Sequence, residues 1–309
     1  MKLAIVFPGQ GSQSVGMMRG FEDNTVVRHT FEQAASALGD DLWKLVANGP
    51  AEKLNQTVNT QPIMLTAAYA MFRAWDAAGG HEAAMMAGHS LGEYTALTAA
   101  AAIAFGDAVP LVRFRAQAMQ DAVPVGVGGM AAILGLDDDA VRAVCVEAAQ
   151  GEVVEAVNFN APSQVVIAGH KTAVERACVL AKEKGAKRAL ALPVSAPFHA
   201  SLLKPAADRL RERLTSVSIQ VPMVPVIHNF DVAMHTDIDQ IRDVLAMQAA
   251  SPVRWVETVQ KMASLGITHI VEIGPGKVLQ GLVKRIAPEL QAFAVTDATS
   301  LATTLEACK

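Results

Sequence analysis

Cysteine is scarce in this chain. Three occur in 309 residues, at 145, 178 and 308, far apart and odd in number. Such a set builds neither a disulfide framework nor a zinc site, and it suits a reducing compartment, the cytoplasm. No metal and no cofactor are expected. Charge is sparse too: 18% of residues carry it and the net charge is −4. That lacks the basic field a nucleic-acid partner requires. No apolar run reaches the ~18–20 uncharged residues that a membrane span needs, so no membrane partner is expected either. The apolar start, Leu3 to Phe7 before Pro8, is too short for a signal peptide and reads as a buried first strand. What the chain has in quantity is apolar surface. At 51% hydrophobic residues it can bury a sizeable core, in one large domain or two smaller ones.

The most informative stretch is Gly88-His89-Ser90-Leu91-Gly92-Glu93-Tyr94. A small, apolar run from Ala83 to Ala87 leads in, and an alanine-rich, helix-forming run from Thr95 to Ala104 leads out. This is G-x-S-x-G between strand and helix, the context of a nucleophile elbow. The serine of such an elbow sits on a strained turn, so its glycine neighbours must lack side chains that would collide with the strand and helix they join. The turn lifts Ser90 clear of the sheet at a helix N-terminus. There the backbone N–H of Leu91 and the helix dipole can face a developing oxyanion.

In chain order, Leu3 to Phe7 ends at the loop Pro8-Gly9-Gln10-Gly11-Ser12-Gln13, at the carboxyl end of a parallel strand where α/β folds place their sites. Arg28 to Leu38 and Leu42 to Val46 read as helices. Asn59-Thr60-Gln61-Pro62 opens another, Ile63 to Ala77, with the proline in its first turn. Asp107 reads as the N-cap of a helix to about Gln120 with Pro110 in its first turn, and Arg115 and Met119 share one face of it. A Pro/Gly-rich connector at 123–129 then changes the pattern to β-α-β-β-α-β: strands at 130–134, 153–158, 164–168 and 187–192, helices at 137–149 and 172–184. That order is the ferredoxin-like unit. Pro193 and Pro197 mark the return, which carries Ser195-Ala196-Pro197-Phe198-His199-Ala200. Helices follow at 202–214, 238–247 and 254–265, with strands at 222–227 and 269–273. Gly274-Pro275-Gly276-Lys277 lacks the spacing of a phosphate-binding Walker loop and reads as a structural turn before a helix to Ile286. Ala292 to Val295 is the last strand.

A serine nucleophile needs a base within hydrogen-bond reach. The candidates after Ser90 are His170, His199, His228, His235 and His269, and the residues themselves do not choose among them. His199 has the advantage of a loop beside a domain boundary. The acid that an α/β-hydrolase places between serine and histidine has no outstanding candidate.

The combination of motifs resembles the malonyl-CoA:acyl-carrier-protein transacylases of fatty acid synthesis. It comprises the Pro8–Gln13 loop, Gly88–Glu93, Phe114-Arg115-Ala116-Gln117-Ala118-Met119-Gln120, Asn158-Phe159-Asn160, Ala196–His199, Ser251-Pro252-Val253-Arg254-Trp255 and Glu272–Lys277. The resemblance runs along essentially the whole chain. It implies an α/β fold: an α/β-hydrolase-like parallel-sheet domain (1–124 and 199–309) interrupted by a ferredoxin-like subdomain (125–198). It implies Ser90 as nucleophile, His199 as base, and the backbone N–H groups of Gln10 and Leu91 as oxyanion hole. The backbone carbonyl of Gln248 would orient His199, and Arg115 would bind the malonyl carboxylate. Phe198, Met119, Gln61 and Asn160 would line the substrate site, Phe198 filling space that a branched α-carbon would need. The implied reaction is ping-pong transfer of malonyl from malonyl-CoA to holo acyl carrier protein, by a monomer.

Other readings differ in chemistry. A serine thioesterase predicts water as acceptor, a carboxylate on His199 and an idle Arg115. A transacylase of a polyketide or malonate-decarboxylase system shares these motifs, and a catalytically dead scaffold needs none of them. Because carrier proteins are acidic, docking falls to local cations despite the net charge of −4. Lys182, Lys184, Lys187 and Arg188 on the insert and Lys277, Lys284 and Arg285 near the C-terminus are the candidates.

Overall fold

In the computed structural model, which describes residues 1–194 and 196–308, strand β1 (Leu3–Phe7) is buried at all five positions. Helices α1 (Thr25–Leu38), α2 (Leu42–Asn48), α3 (Ala51–Leu54) and α4 (Thr57–Ala77) follow it, then β2 (Met85–Gly88), α5 (Leu91–Ala99) and α6 (Phe105–Asp121). The insert holds β3 (Gly128–Leu134), α7 (Asp138–Ala149), β4 (Val154–Ala161), β5 (Gln164–His170), α8 (Lys171–Glu183) and β6 (Arg188–Ala191). After it come α9 (Lys204–Thr215), β7 (Val226–Ile227), α10 (Ile238–Gln248), α11 (Trp255–Ser264), β8 (His269–Ile273), α12 (Val278–Ile286), β9 (Gln291–Val295) and α13 (Ala298–Ala307). Ser195, four positions before His199 in the sequence, lies outside the described residues.

The larger sheet has the order β7-β2-β1-β8-β9, and every pairing in it is parallel. A parallel sheet is covered on both faces, which explains the unbroken apolar strands. Leu3, Ile5 and Phe7 point into a core shared with α1, α4, α5 and α6. Ala4 and Val6, on the opposite face, join Trp255, Val259 and Met262 of α11 and Leu279, Leu282 and Val283 of α12. Phe7 lies level with Gly88, and Val6 with Glu272. The Pro8 loop, the serine elbow and the Gly274 turn therefore leave the sheet side by side at one carboxyl edge.

The insert forms an antiparallel sheet of order β4-β5-β3-β6, as expected of a ferredoxin-like unit. Helices α7 and α8 cover one face through Val144, Val174, Ile133 and Ile167. The other face turns Met130, Val157, Val166 and Ala168 toward Phe198 and Ala200. Backbone bonds that join insert and main sheet domain include Phe159 N–H to Val253 C=O (3.0 Å) and Val253 N–H to Val157 C=O (2.8 Å).

Three local expectations are corrected. Helix α4 starts at Thr57, so Pro62 sits in its second turn and deprives Val58 of a backbone donor. An interior proline costs about 3 kcal/mol. Met64, Leu65, Met71 and Trp75 of the same helix are fully buried, at about 1.5–3 kcal/mol each, which outweighs it. Helix α6 is likewise N-capped by Ala104, not Asp107, and carries Pro110 inside. The helix after Ser90 starts at Leu91 and stops at Ala99, because Ala101 turns to φ 57°. Beyond the last expected strand the chain also forms α13, started by a capping box in which Asp297 and Ser300 satisfy each other's backbone N–H groups.

Candidate active site

Ser90 occupies a conformation that few non-glycine residues adopt, φ 53° and ψ −109°, a strain worth about 1–3 kcal/mol that the surroundings must hold. The two glycines permit it by close approach. A Cβ on Gly88 would lie 1.8 Å from the Gly92 carbonyl carbon, and one on Gly92 would lie 2.1 Å from the Phe7 carbonyl oxygen. Asn229 ties the elbow down: its Oδ1 accepts the Ser90 N–H at 2.7 Å and its Nδ2 donates to the Gly88 carbonyl at 2.8 Å.

Of the candidate bases, His199 is the one in contact with the serine. Its Nε2 is 2.7 Å from Ser90 Oγ, while Nδ1 is 2.9 Å from the backbone carbonyl of Gln248. A carbonyl can only accept, so Nδ1 carries the proton and Nε2 is left to receive one from Ser90. The others are occupied elsewhere. His170 accepts the Val153 N–H, His228 meets Glu93, His235 meets Asp231, and His269 meets Thr268. Burial first, then the nearby Arg115 cation, lower the His199 pKa to about 3, and the Gln248 carbonyl opposes them only in part. His199 is therefore neutral, the state a base must be in.

Arg115 reaches inward from α6 and is 1% exposed. Its Nη1 donates to Gln61 Oε1 at 2.7 Å, and Nη2 donates to Ser90 Oγ at 3.1 Å and Gln248 Oε1 at 2.9 Å. The guanidinium lies 5.3 Å from the Tyr94 ring centre. Gln61 Nε2 reaches Thr57 Oγ1 (3.3 Å), and Thr57 donates to Gln10 Oε1 (2.8 Å), which links the arginine to the Pro8 loop. Gln10, Gln61, Ser90, Leu91, Arg115, Met119, Asn160, Phe198 and His199 all line one cleft of about 640 Å³, between the sheet edge and the bare face of the insert. Gln248 is buried behind it.

Of the residues that sequence reasoning missed, His89 lines the cleft and Glu93 and Asn229 stand one layer back. His89 Nε2 is 2.8 Å from Asn160 Oδ1, and burial lowers the His89 pKa. Glu93, wholly buried, bonds His228, Asn229 and Gln248. An acid three places after an elbow serine, within a run of buried helix, is the signal that was there to read. Asn229 and Thr57 carry no such signal. The Gly274 turn is structural, as expected: Cβ atoms on Gly274 and Gly276 would strike Pro8 and Ser12. Among the described residues no cluster of metal-ligating side chains occurs, and no helix is long and apolar enough to cross a membrane.

A neutral histidine that can take the proton of a strained serine on the cleft wall generates a nucleophile suited to activated esters and thioesters. Fold and site thus define a class, the serine-dependent acyl-transfer enzymes. The acyl transferase domain family matches residues 4–303. The malonyl CoA-acyl carrier protein transacylase of Escherichia coli K12 is 54% identical over 306 residues, 99% of each chain, and that of Bacillus subtilis 168 is 43% identical over 310 residues, 100% of this chain and 98% of the other. The crystal structure of an acyl-carrier-protein S-malonyltransferase from Burkholderia pseudomallei superposes with TM-score 0.98 at 65% identity, covering 99% of this chain and 100% of that one. A type II PKS acyl-carrier protein in complex with its malonyl-transacylase gives TM-score 0.98 at 49% identity, with the same coverage. The chain belongs to the acyl transferase family and, within it, to the malonyl CoA-acyl carrier protein transacylases.

Proposed function

We propose that this chain moves a malonyl group from coenzyme A to the phosphopantetheine thiol of holo acyl carrier protein, through a malonyl ester of Ser90, in the cytoplasm and for fatty acid synthesis. One observation carries the choice of acyl group: a buried guanidinium, paired with no carboxylate among the described residues, donates to the nucleophile's own oxygen. A cation so placed favours an acyl chain that ends in a carboxylate, and its planar fork can hold both oxygens.

In the first half-reaction Ser90 Oγ attacks the thioester carbonyl as His199 Nε2 takes its proton. The negative charge that forms on the carbonyl oxygen falls to the backbone N–H groups of Gln10 and Leu91, both on the cleft wall. Collapse of the tetrahedral intermediate breaks the C–S bond, and His199 returns the proton to the departing thiolate. The carrier's thiol then repeats the attack on the malonyl-serine ester, and His199 moves its proton to Ser90. The Gln248 carbonyl keeps the imidazole in the required tautomer throughout. It supplies less charge than a carboxylate would, in a site that must also take a substrate carboxylate. Phe198 and Met119, on the cleft wall, leave room for a small acyl chain.

Intact-protein mass spectrometry after mixing with malonyl-CoA and with acetyl-CoA tests the proposal. Malonyl-CoA is expected to add one malonyl mass to the peptide containing Ser90, far faster than acetyl-CoA adds an acetyl, and Ser90→Ala is expected to add nothing. Labelling that survives Ser90→Ala would sink the assignment.

A further inference from the structure

The buried hydrogen bonds around Ser90 converge on a carboxylate that the transfer chemistry does not use. Glu93, on α5 and 0% exposed, holds His228 Nδ1 at 2.7 Å with Oε1. Its Oε2 accepts the Asn229 backbone N–H at 2.9 Å and Gln248 Nε2 at 2.7 Å. Gln248 then fans out. Nε2 also donates to the Ser90 carbonyl at 3.0 Å, Oε1 accepts Arg115 Nη2 at 2.9 Å, and its backbone carbonyl faces His199.

A glutamine side chain can present either end, but a carboxylate can only accept. Facing Glu93, Gln248 must offer its NH2, and that leaves its oxygen for Arg115. Reversed, donor would meet donor, and the guanidinium would lose its acceptor on the Ser90 side. Charge matters as well. Because one amide separates Glu93 from Arg115, the guanidinium is held by an acceptor without being directly neutralised by the acid. We propose that Glu93 is a positioning residue for acyl selection: it fixes the Gln248 amide so that Arg115 stands beside Ser90 with its charge available to the acyl carboxylate. The inference rests on the reading of Arg115 as the carboxylate-binding group.

The test is single-turnover acylation of Ser90, followed by quenching and intact mass, over a range of malonyl-CoA and acetyl-CoA concentrations. Wild type is compared with Glu93→Gln and with the charge swap Glu93→Gln/Gln248→Glu, each checked by thermal melt. Glu93→Gln keeps the size but loses the acceptor-only group. Malonyl acylation is expected to fall roughly ten- to hundredfold, the penalty for an unmatched buried donor, with acetyl acylation nearly unchanged. The swap restores a donor–acceptor contact between positions 93 and 248, with loss of the bonds to the Ser90 carbonyl and the Asn229 N–H, and puts the carboxylate directly on Arg115. Its half-saturating malonyl-CoA concentration is expected to rise about tenfold or more while the maximal rate falls less, because a neutralised guanidinium no longer attracts the substrate. An equal loss on both thioesters in Glu93→Gln, or an unchanged malonyl-to-acetyl ratio, overturns the proposal, and the swap decides it if Glu93→Gln does not fold. A swap that saturates with malonyl-CoA as wild type does also overturns it. A wild-type enzyme with no preference for malonyl-CoA would instead strike at the role of Arg115.

Discussion

Burying an arginine is costly unless its donors are met; the two terminal nitrogens of Arg115 are met by Gln61, Gln248 and Ser90, while its Nε is buried without a hydrogen-bond partner. Its removal tests specificity at the scale of one residue. Arg115→Ala would leave a substrate carboxylate desolvated and unpaired, at a cost on the order of 3–5 kcal/mol. At tenfold per 1.36 kcal/mol, kcat/KM for malonyl transfer is expected to fall by roughly two to four orders of magnitude. Acetyl transfer loses no partner and should hold steady or rise. Arg115→Lys should fall between, since the charge stays and the fork goes. Equal losses on both thioesters, in variants that melt normally, would make Arg115 structural. The same cation helps to set the pH response of its neighbour. With the His199 pKa lowered to about 3 by burial and Arg115, the base form persists throughout the neutral and mildly acidic range. The pH profile of kcat/KM for acylation should therefore show no acid limb near 6.5, the ordinary histidine value. In Arg115→Ala the second-largest of the depressing causes is gone, so the limb should move upward. A wild-type limb at 6.5 would contradict the geometry of the pair.

At the scale of an element, the start of α12 rests on a buried carboxyl from β8. Glu272, at the end of β8, is wholly buried, and its Oε2 accepts the Gln280 N–H at 2.7 Å. Burial raises its pKa from 4.5 to about 7, although backbone N–H groups of α12 resist the shift. The sign follows directly. Below about 4.5 the group is protonated folded or unfolded, and nothing is lost. As pH rises from there to 7 the unfolded chain ionises first, so stability falls, by about 3 kcal/mol in total. Glu272→Gln keeps an acceptor for the helix and cannot ionise. Thermal melts of the two proteins are expected to nearly coincide at pH 5, with the variant clearly more stable at pH 8. A gap that does not change with pH would mean that Glu272 ionises normally in the fold.

For the whole molecule, the question is how an acidic carrier finds an enzyme of net charge −4. The structure thins the list of cations. Lys184 is paired with Glu147, and Arg285 bonds Gln164 and the Pro162 carbonyl. Lys277 is exposed at the foot of α12, next to Gly276, which packs on Ser12 of the loop bordering the cleft. Lys277→Glu is therefore expected to slow transfer to the carrier while leaving acylation by malonyl-CoA near wild type. Rim charges act mainly on association rate. Raising salt from about 0.05 to 0.5 M shortens the Debye length from roughly 14 to 4 Å, and should lower kcat/KM for the carrier in wild type more than in the variant. Transfer rates indifferent to both changes would rule out electrostatic docking at this rim.

The sequence by itself determined the parts that depend on neighbours in the chain. Gly88 specifies an elbow because a Cβ there would strike the backbone of Gly92 four residues on, and an all-apolar Leu3–Phe7 specifies a strand covered on both faces; the need for glycine at 92 comes from Phe7 of that strand. The insert's order of elements was legible for the same reason, since period and punctuation are local. The partnership of Ser90, His199 and Arg115 came through resemblance, not from any spacing. Tertiary structure decided what depends on burial and on distant contacts. Pro62 and Pro110 lie a turn deeper than their polar approaches suggest, because packing of the following helix outweighs one missing donor. Glu93 stood in the sequence only as part of the motif around Ser90, and its partners were fixed when the fold brought it against Gln248, 155 residues away, and Asn229, 136 away. A lone carboxylate in the interior is intolerable and a fully bonded one is a fixed point. Which of the two a given Glu becomes is settled only when the chain closes around it.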